Sequence, residues 1–141
     1  MNTNNIISLI SSIRNKANNF ILAELKKIGI NNISPSHGYI LYTLYKKDGI
    51  PMKDITKNIN KKKNTVTILI DKLIKEGYVY KEIDIKDKRF SRIFLSEKGQ
   101  SFKENFMHIS EILLEKAFAN IHDLEKEKLM ELLLKIENNF M

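Results

Sequence analysis

Between Lys61 and Arg92 the chain gathers cations and short polar side chains at spacings suited to holding a polyanion. Lys61-Lys62-Lys63 run directly into Asn64, Thr65 and Thr67, and further on Lys86, Lys88, Arg89 and Arg92 cluster around Asp87. Lysine and arginine offer ionic contacts to phosphate, whereas asparagine and threonine hydrogen-bond base edges as well as phosphates. The positive charge is local. Residues 46–98 hold 15 Lys or Arg against 8 Asp or Glu, while residues 1–45 carry +3 and residues 99–141 carry −3. A basic excess confined to one segment beside an acidic tail indicates a polyanionic partner better than it indicates a general lysine coat. Asp87 would weaken phosphate binding if aimed at DNA, so it is read as the group that orients Arg89.

Other chemistries find little support. There is no cysteine, which removes disulfides, thiolate metal sites and thiol-oxidation switches. His37, His108 and His122 fall on different expected elements with no pair at helical metal-site spacing, so they are read as surface or capping residues and no metal is assigned. No glycine-rich phosphate loop, nucleophile elbow or paired catalytic carboxylate is present, so the chain is read as no enzyme and without a cofactor. With 141 residues, 43% apolar and 29% charged, the chain suits one globular unit. No apolar run approaches the roughly 18 to 20 residues of a membrane span, and Met1–Asn5 lacks a basic start before an apolar stretch, so a cytoplasmic protein is expected.

The elements that must position these residues follow from periodicity. Ile6, Ile10, Ile13, Ala17, Phe20, Ile21, Leu25 and Ile28 recur at helical steps until Gly29. Ser34-Pro35 opens a second helix with Ile40, Leu41, Leu44 and Tyr45 on its buried stripe, and Asp48-Gly49 closes it. Ile50-Pro51-Met52 is a brief extended piece, followed by a short helix around Ile55 and Ile59. Asn64 or a neighbour caps the next helix, which buries Val66, Leu69, Ile70, Leu73 and Ile74 and ends at Glu76-Gly77. Alternation from Tyr78 to Leu95 then predicts a β-hairpin, with Val79, Ile83 and Ile85 on one arm, Ile93 and Leu95 on the other, and a polar turn at Lys86 to Arg89. Two tail helices are expected, one lined by Phe102, Phe106, Ile109, Leu113 and Ala117, the other capped by Asp123 and lined by Leu129, Leu132, Leu133, Ile136 and Phe140.

The fold class is therefore mainly α: a winged helix-turn-helix with a two-stranded wing, between N- and C-terminal helices. At about 100° per residue, the buried stripe of the 64–76 helix turns Asn64, Thr67, Ile68, Asp71 and Lys75 outward. A second helix of this kind fits the major groove of double-stranded DNA, and a basic hairpin tip reaches phosphate or the minor groove beside it. Ile68, central on the outward face, is either an ordinary exposed residue or a contact to a thymine methyl. The terminal helices carry more apolar surface than the central lobe can cover, which favours a homodimer. Tyr39, Tyr42 and Tyr45 either belong to the core or line a pocket for an aromatic effector.

The run Asp54-Ile55, Asn64-Thr65-Val66-Thr67, Asp71 to Val79, Asp87-Lys88-Arg89 and Leu95-Ser96-Glu97-Lys98-Gly99 resembles the MarR family of bacterial and archaeal regulators. It departs at Ile68, where the family often has arginine, and at Ser96, where it often has threonine. The resemblance implies a homodimer whose residues 1–33 and 99–141 form dimerisation helices and whose residues 34–98 form the DNA-binding lobe. It implies DNA contacts at Asn64, Thr65, Thr67 and Arg89, with Lys63 and Lys75 towards the backbone. Joined to the reading of the residues, these make the candidate set Lys62, Lys63, Asn64, Thr65, Thr67, Ile68, Lys75, Asp87, Lys88 and Arg89. The resemblance also implies a repressor released from a pseudo-palindromic operator by a small aromatic or anionic effector. His37, which begins the second helix close to the implied ligand cleft, joins Tyr39 and Tyr42 as candidate effector contacts. The competing expectation is an antirepressor of the same fold that no longer binds DNA.

Overall fold

The computed structural model describes residues 1–59 and 61–141, in two compact units, Met1–Ile109 and Ser110–Met141. In the first unit a 3-10 turn at Thr3–Asn5 leads into α1 (Ile6–Lys27) and α2 (Pro35–Lys46). There follow β1 (Ile50–Pro51), α3 (Met52–Asn58), α4 (Lys63–Lys75), β2 (Val79–Ile83), β3 (Ser91–Leu95), α5 (Glu97–Ser101) and the start of α6 (Lys103–Ala117). This is a mainly helical winged helix-turn-helix, with α3 and α4 as the helix pair and β2–β3 as the wing.

Local signals set the ends of α1 and α2. Past Ile28 the chain turns through Gly29 at φ +79°, a left-handed stop that costs glycine little. Pro35 occupies the first turn of α2, and the Ser34 N–H donates to His37 Nδ1 at 2.9 Å, closing a capping box with histidine as its acceptor.

The core lies under the helix-turn-helix. Ile40, Leu41 and Leu44 of α2, Ile55 of α3, Val66, Ile70 and Leu73 of α4, and Ile93 of β3 are fully buried. Each such side chain contributes about 1.5–3 kcal/mol relative to exposure.

The sheet is three-stranded and antiparallel, in the order β1-β3-β2, with Ile50 opposite Ile93, Val79 opposite Leu95 and Ile83 opposite Ser91. The expected two-stranded hairpin thus gains a third strand from Ile50-Pro51. Past the end of β1 a side chain continues the ladder: Asp48 Oδ1 accepts the Leu95 N–H at 2.8 Å and the Gly49 N–H at 3.0 Å. Gly49 has φ +66°, and a Cβ there would lie 2.5 Å from the Phe94 ring. Its carbonyl accepts from Arg92 Nη1 at 3.1 Å.

Two further expectations change. On β2 only Val79 is buried, while Ile83 is 63% and Ile85 98% exposed. The hairpin extends past Ile93, the outermost buried residue of β3, so the alternation runs on where there is no core to receive it. The first tail helix is preceded by the short helix α5, because the Ser96 side chain caps a new start by accepting the Gly99 N–H at 3.1 Å. Gly99 is hemmed in there: an added Cβ would strike the Tyr78 carbonyl oxygen, and the Gly99 carbonyl accepts from the Tyr45 hydroxyl at 2.7 Å.

In the second unit, the rest of α6 is followed by α7 (Asp123–Asn138). The cap of α7 is His122 rather than Asp123, because Glu125 Oε2 accepts the His122 N–H at 2.8 Å in a capping box. Along the apolar stripe of α7, Leu129, Leu132 and Leu133 are exposed and Ile136 is half-buried, and Phe140, just past the helix end, is exposed. Among the described residues no helix is long and apolar enough to cross a membrane.

Gly49→Ala meets both a left-handed backbone and the Phe94 ring, and should lower the free energy of unfolding by about 1–3 kcal/mol. Urea denaturation followed by circular dichroism measures this; a variant as stable as the parent would remove the constraint from the Asp48-Gly49 turn.

Candidate nucleic-acid interface

Burial of Val66, Ile70 and Leu73 on one side of α4 leaves Lys63, Asn64, Thr65, Ile68, Asp71 and Lys75 exposed on the others. Thr67 is half-exposed, its hydroxyl donating to the Lys63 carbonyl at 3.0 Å, which leaves the oxygen free to accept. Ile68 stands out at 68% exposure.

The start of α4 differs from the expected cap. Lys62 is the N-cap residue and its side chain makes no capping hydrogen bond, so Asn64 sits inside the first turn with its amide exposed. A helix start not closed by its own side chain keeps first-turn amide donors and the positive end of the helix dipole available to an anion. Lys62 and Lys63 place two exposed ammonium-bearing side chains at the same point.

The wing tip is held by its own carboxylates. Asp84 Oδ1 accepts the Lys86 N–H at 2.8 Å, the Asp84 N–H donates to the Phe90 carbonyl at 2.9 Å, and the Phe90 N–H donates to the Asp87 carbonyl at 2.9 Å. Asp87 grips Arg89 three times: Oδ1 accepts the Arg89 backbone N–H and Nε–H, and Oδ2 accepts from Nη2, all at 3.0 Å. Hydrogen bonds from Arg89 hold the Asp87 carboxyl below its ordinary range, and the same pair raises the guanidinium above its own. The Arg89 side chain is nonetheless 90% exposed, so the fork is oriented without being covered. Lys88 is exposed beside it.

A set of contacts at the far end of α4 joins residues that no local pattern links. Glu76 accepts from Asn32 Nδ2 at 2.7 Å and pairs with Lys72 at 3.2 Å, and these two partners hold its carboxyl below the usual range. The Lys98 ammonium donates to the Glu76 carbonyl at 2.7 Å and lies 4.5 Å from the centre of the Tyr78 ring. The end of α4 is thereby tied to the loop before α2 and to α5. The partners lie 22 and 44 residues apart in the chain, out of reach of any local pattern.

The three candidate effector residues all lie on α2 and differ in setting. His37 is buried, with Nδ1 2.9 Å from both the Ser34 nitrogen and its hydroxyl. Tyr39 is exposed on α2. Tyr42 stacks on Phe106 at 6.3 Å with the Lys46 ammonium 4.4 Å from its ring centre, and it lines an open pocket of about 560 Å³. Lys46, Lys47, Lys57 and Asp54 also line that pocket, giving it a basic wall. Among the described residues no group of three or more His, Asp or Glu is placed to hold a metal ion.

Comparison with known proteins bears on this arrangement. The MarR family model matches residues 33–90, from the residue before the α2 cap to the end of the wing tip. The Bacillus subtilis HTH-type transcriptional regulator YkoM is 28% identical over 114 residues, 81% of this chain and 72% of YkoM. The crystal structure of a MarR transcriptional regulator from Methanosarcina mazei Go1 shares 29% identity at a TM-score of 0.80, covering 96% of each chain. The chain is thus similar to MarR-family transcriptional regulators in sequence and in fold. The matched segment contains both the exposed face of α4 and the Asp87–Arg89 pair. The same fold occurs in reduced AbfR, whose structure is bound to DNA, at 23% identity and a TM-score of 0.81 over 98% of this chain and 94% of AbfR.

The His37 pKa lies below its ordinary 6.5, because burial disfavours the imidazolium and Lys72 repels it. Protonation at Nδ1 would also remove the acceptor for the Ser34 N–H. The unfolded chain therefore takes up the proton first as pH falls, and this contribution to stability, complete above about pH 6.5, declines below it. His37→Gln keeps an N3 acceptor without the titration. Thermal melts between pH 7.5 and 5.5 should show a smaller loss of Tm for the variant than for the parent; equal losses would contradict the assignment.

Proposed function

We propose that this regulator binds double-stranded DNA as a homodimer, each protomer setting α4 in the major groove and its wing in the adjacent minor groove. The observation that carries the reading is the α4 start without a side-chain cap, where Lys62, Lys63, Asn64 and Thr65 are exposed on the same lobe as a wing arginine fixed but not covered by Asp87. Asn64, Thr65 and Thr67 meet base edges or phosphates, Lys62, Lys63, Lys75 and Lys88 meet phosphates, and Ile68 packs on a thymine methyl. Arg89 enters the minor groove, with Asp87 setting its orientation. The structure of AbfR bound to DNA supports the choice of partner.

Residues 1–33 and 99–141 act as the dimerisation helices and residues 34–98 as the DNA-binding lobe. In support, α1 exposes Ile7, Leu9 and Ile13, and α7 exposes Leu129, Met130, Leu132 and Leu134, more apolar surface than single chains commonly leave in water. A two-fold dimer recognises a pseudo-palindromic operator with half-sites about 10 bp apart. The regulator acts as a repressor, released by a small aromatic or anionic effector for which the Tyr42 pocket, with its three lysines, has suitable chemistry.

Arg89→Ala should weaken binding to a duplex selected from a random pool by about tenfold or more and leave the dimer unchanged by light scattering. Fluorescence anisotropy reads the affinity; equal affinity of parent and variant would refute the role of the wing.

A further inference from the structure

The wing presents an apolar side chain where a solvated turn has no use for one. Ile85 is 98% exposed, the adjacent Ile83 is 63% exposed, and both lie past the last buried residue of β3. The turn around Ile85 is closed on either side by hydrogen bonds, Asp84 to Lys86 and Asp84 to Phe90, so the side chain is held out by a braced backbone. Its surroundings limit what it can meet. Lys86, Lys88 and Arg89 are exposed on the same tip. The nearby carboxylates of Asp84 and Asp87 are already engaged with tip amides and with Arg89. An isoleucine beside the exposed Lys86 and Lys88 and the outward-facing Arg89 fork is complementary to the apolar interior of a polyanion's groove and unsuited to the apolar face of another protein.

We propose that Ile85 is an apolar wedge that enters the minor groove beside Arg89 and makes the wing sensitive to how readily the base step beneath it opens. The proposal rests on the DNA-binding reading above. The two side chains demand different things of the duplex. Arginine is drawn to the narrow, strongly negative groove of stiff A-tracts, whereas a wedge needs a step that unstacks at low cost, such as TA or CA/TG. Ile85 therefore selects deformable steps at positions where the protein forms no hydrogen bond to a base.

The test compares duplexes selected from one random pool by the parent, by Ile85→Ala and by Ile85→Leu; all three should fold alike, since the side chain is exposed. The parent and Ile85→Leu should enrich TA or CA/TG steps under the wings. Ile85→Ala should lose that enrichment, keep the same half-site sequence, and bind the parent's selected duplex about five- to tenfold more weakly. 2-Aminopurine placed at the wing step should brighten on adding the parent protein and not on adding Ile85→Ala. Identical selections and affinities for parent and Ile85→Ala would overturn the wedge and leave the DNA-binding reading standing. Failure of the parent itself to bind any duplex would overturn both.

Discussion

Val66, Ile70 and Leu73 have no solvent exposure, and their burial decides which way α4 faces. They occupy one side of a helix, so rotating α4 by even one residue would bring a polar neighbour into the core in place of an aliphatic one. The opposite side is consequently fixed outward as a unit, and with it every side chain through which α4 can reach a partner. Ile40, Leu41 and Leu44 on α2 and Ile93 on β3 complete the buried set, so the same packing that orients the helix also holds the base of the wing. Charge plays no part in that choice; it is carried on a scaffold that hydrophobic burial has already oriented.

Polar contacts then refine the positions at both edges of the lobe. Asp48 extends the β1–β3 ladder by one acceptor, and Arg92 returns a hydrogen bond to the same turn, which fixes the root of the hairpin. Farther out, Asp84 and Asp87 brace the tip. Asp87 sits in a basic segment where its negative charge would oppose an anionic partner, and its cost is offset by the bidentate hold on Arg89, which limits the rotamers that arginine must surrender on binding. At the other end of α4, Asn32, Lys72 and Lys98 converge on Glu76. These contacts tie the C-terminus of α4 to the loop before α2 and to α5.

Much of this was legible in the chain because it is local. The periodic stripes of α1, α2 and α4, the Ser34-Pro35 start, the stop at Gly29 and the aspartate-x-arginine turn each depend on residues a few positions apart. What escaped is non-local or depends on the absence of a neighbour. Ile50-Pro51 was readable as a brief extended piece, but not its pairing as a third strand, which depends on Ile50 meeting Ile93. Ile83 and Ile85 continue a strand-like alternation, yet periodicity cannot tell whether a core lies opposite. Asn64 has the chemistry of a cap, but the helix starts a turn position earlier at Lys63, where capping propensity gives no sign. His37 was legible as both a cap and a pocket residue, and its short distance to Ser34 shows that the ring serves as a cap.

The most direct measurement of the central claim, that one helix face and one wing per protomer form a duplex-gripping surface, is hydroxyl-radical footprinting on a duplex recovered from random sequence. The account predicts two protected stretches on one face of the duplex, centred about one helical turn apart, with further protection in the flanking minor grooves. Uniform cleavage at saturating protein, or a single protected stretch with unprotected flanks, would contradict it.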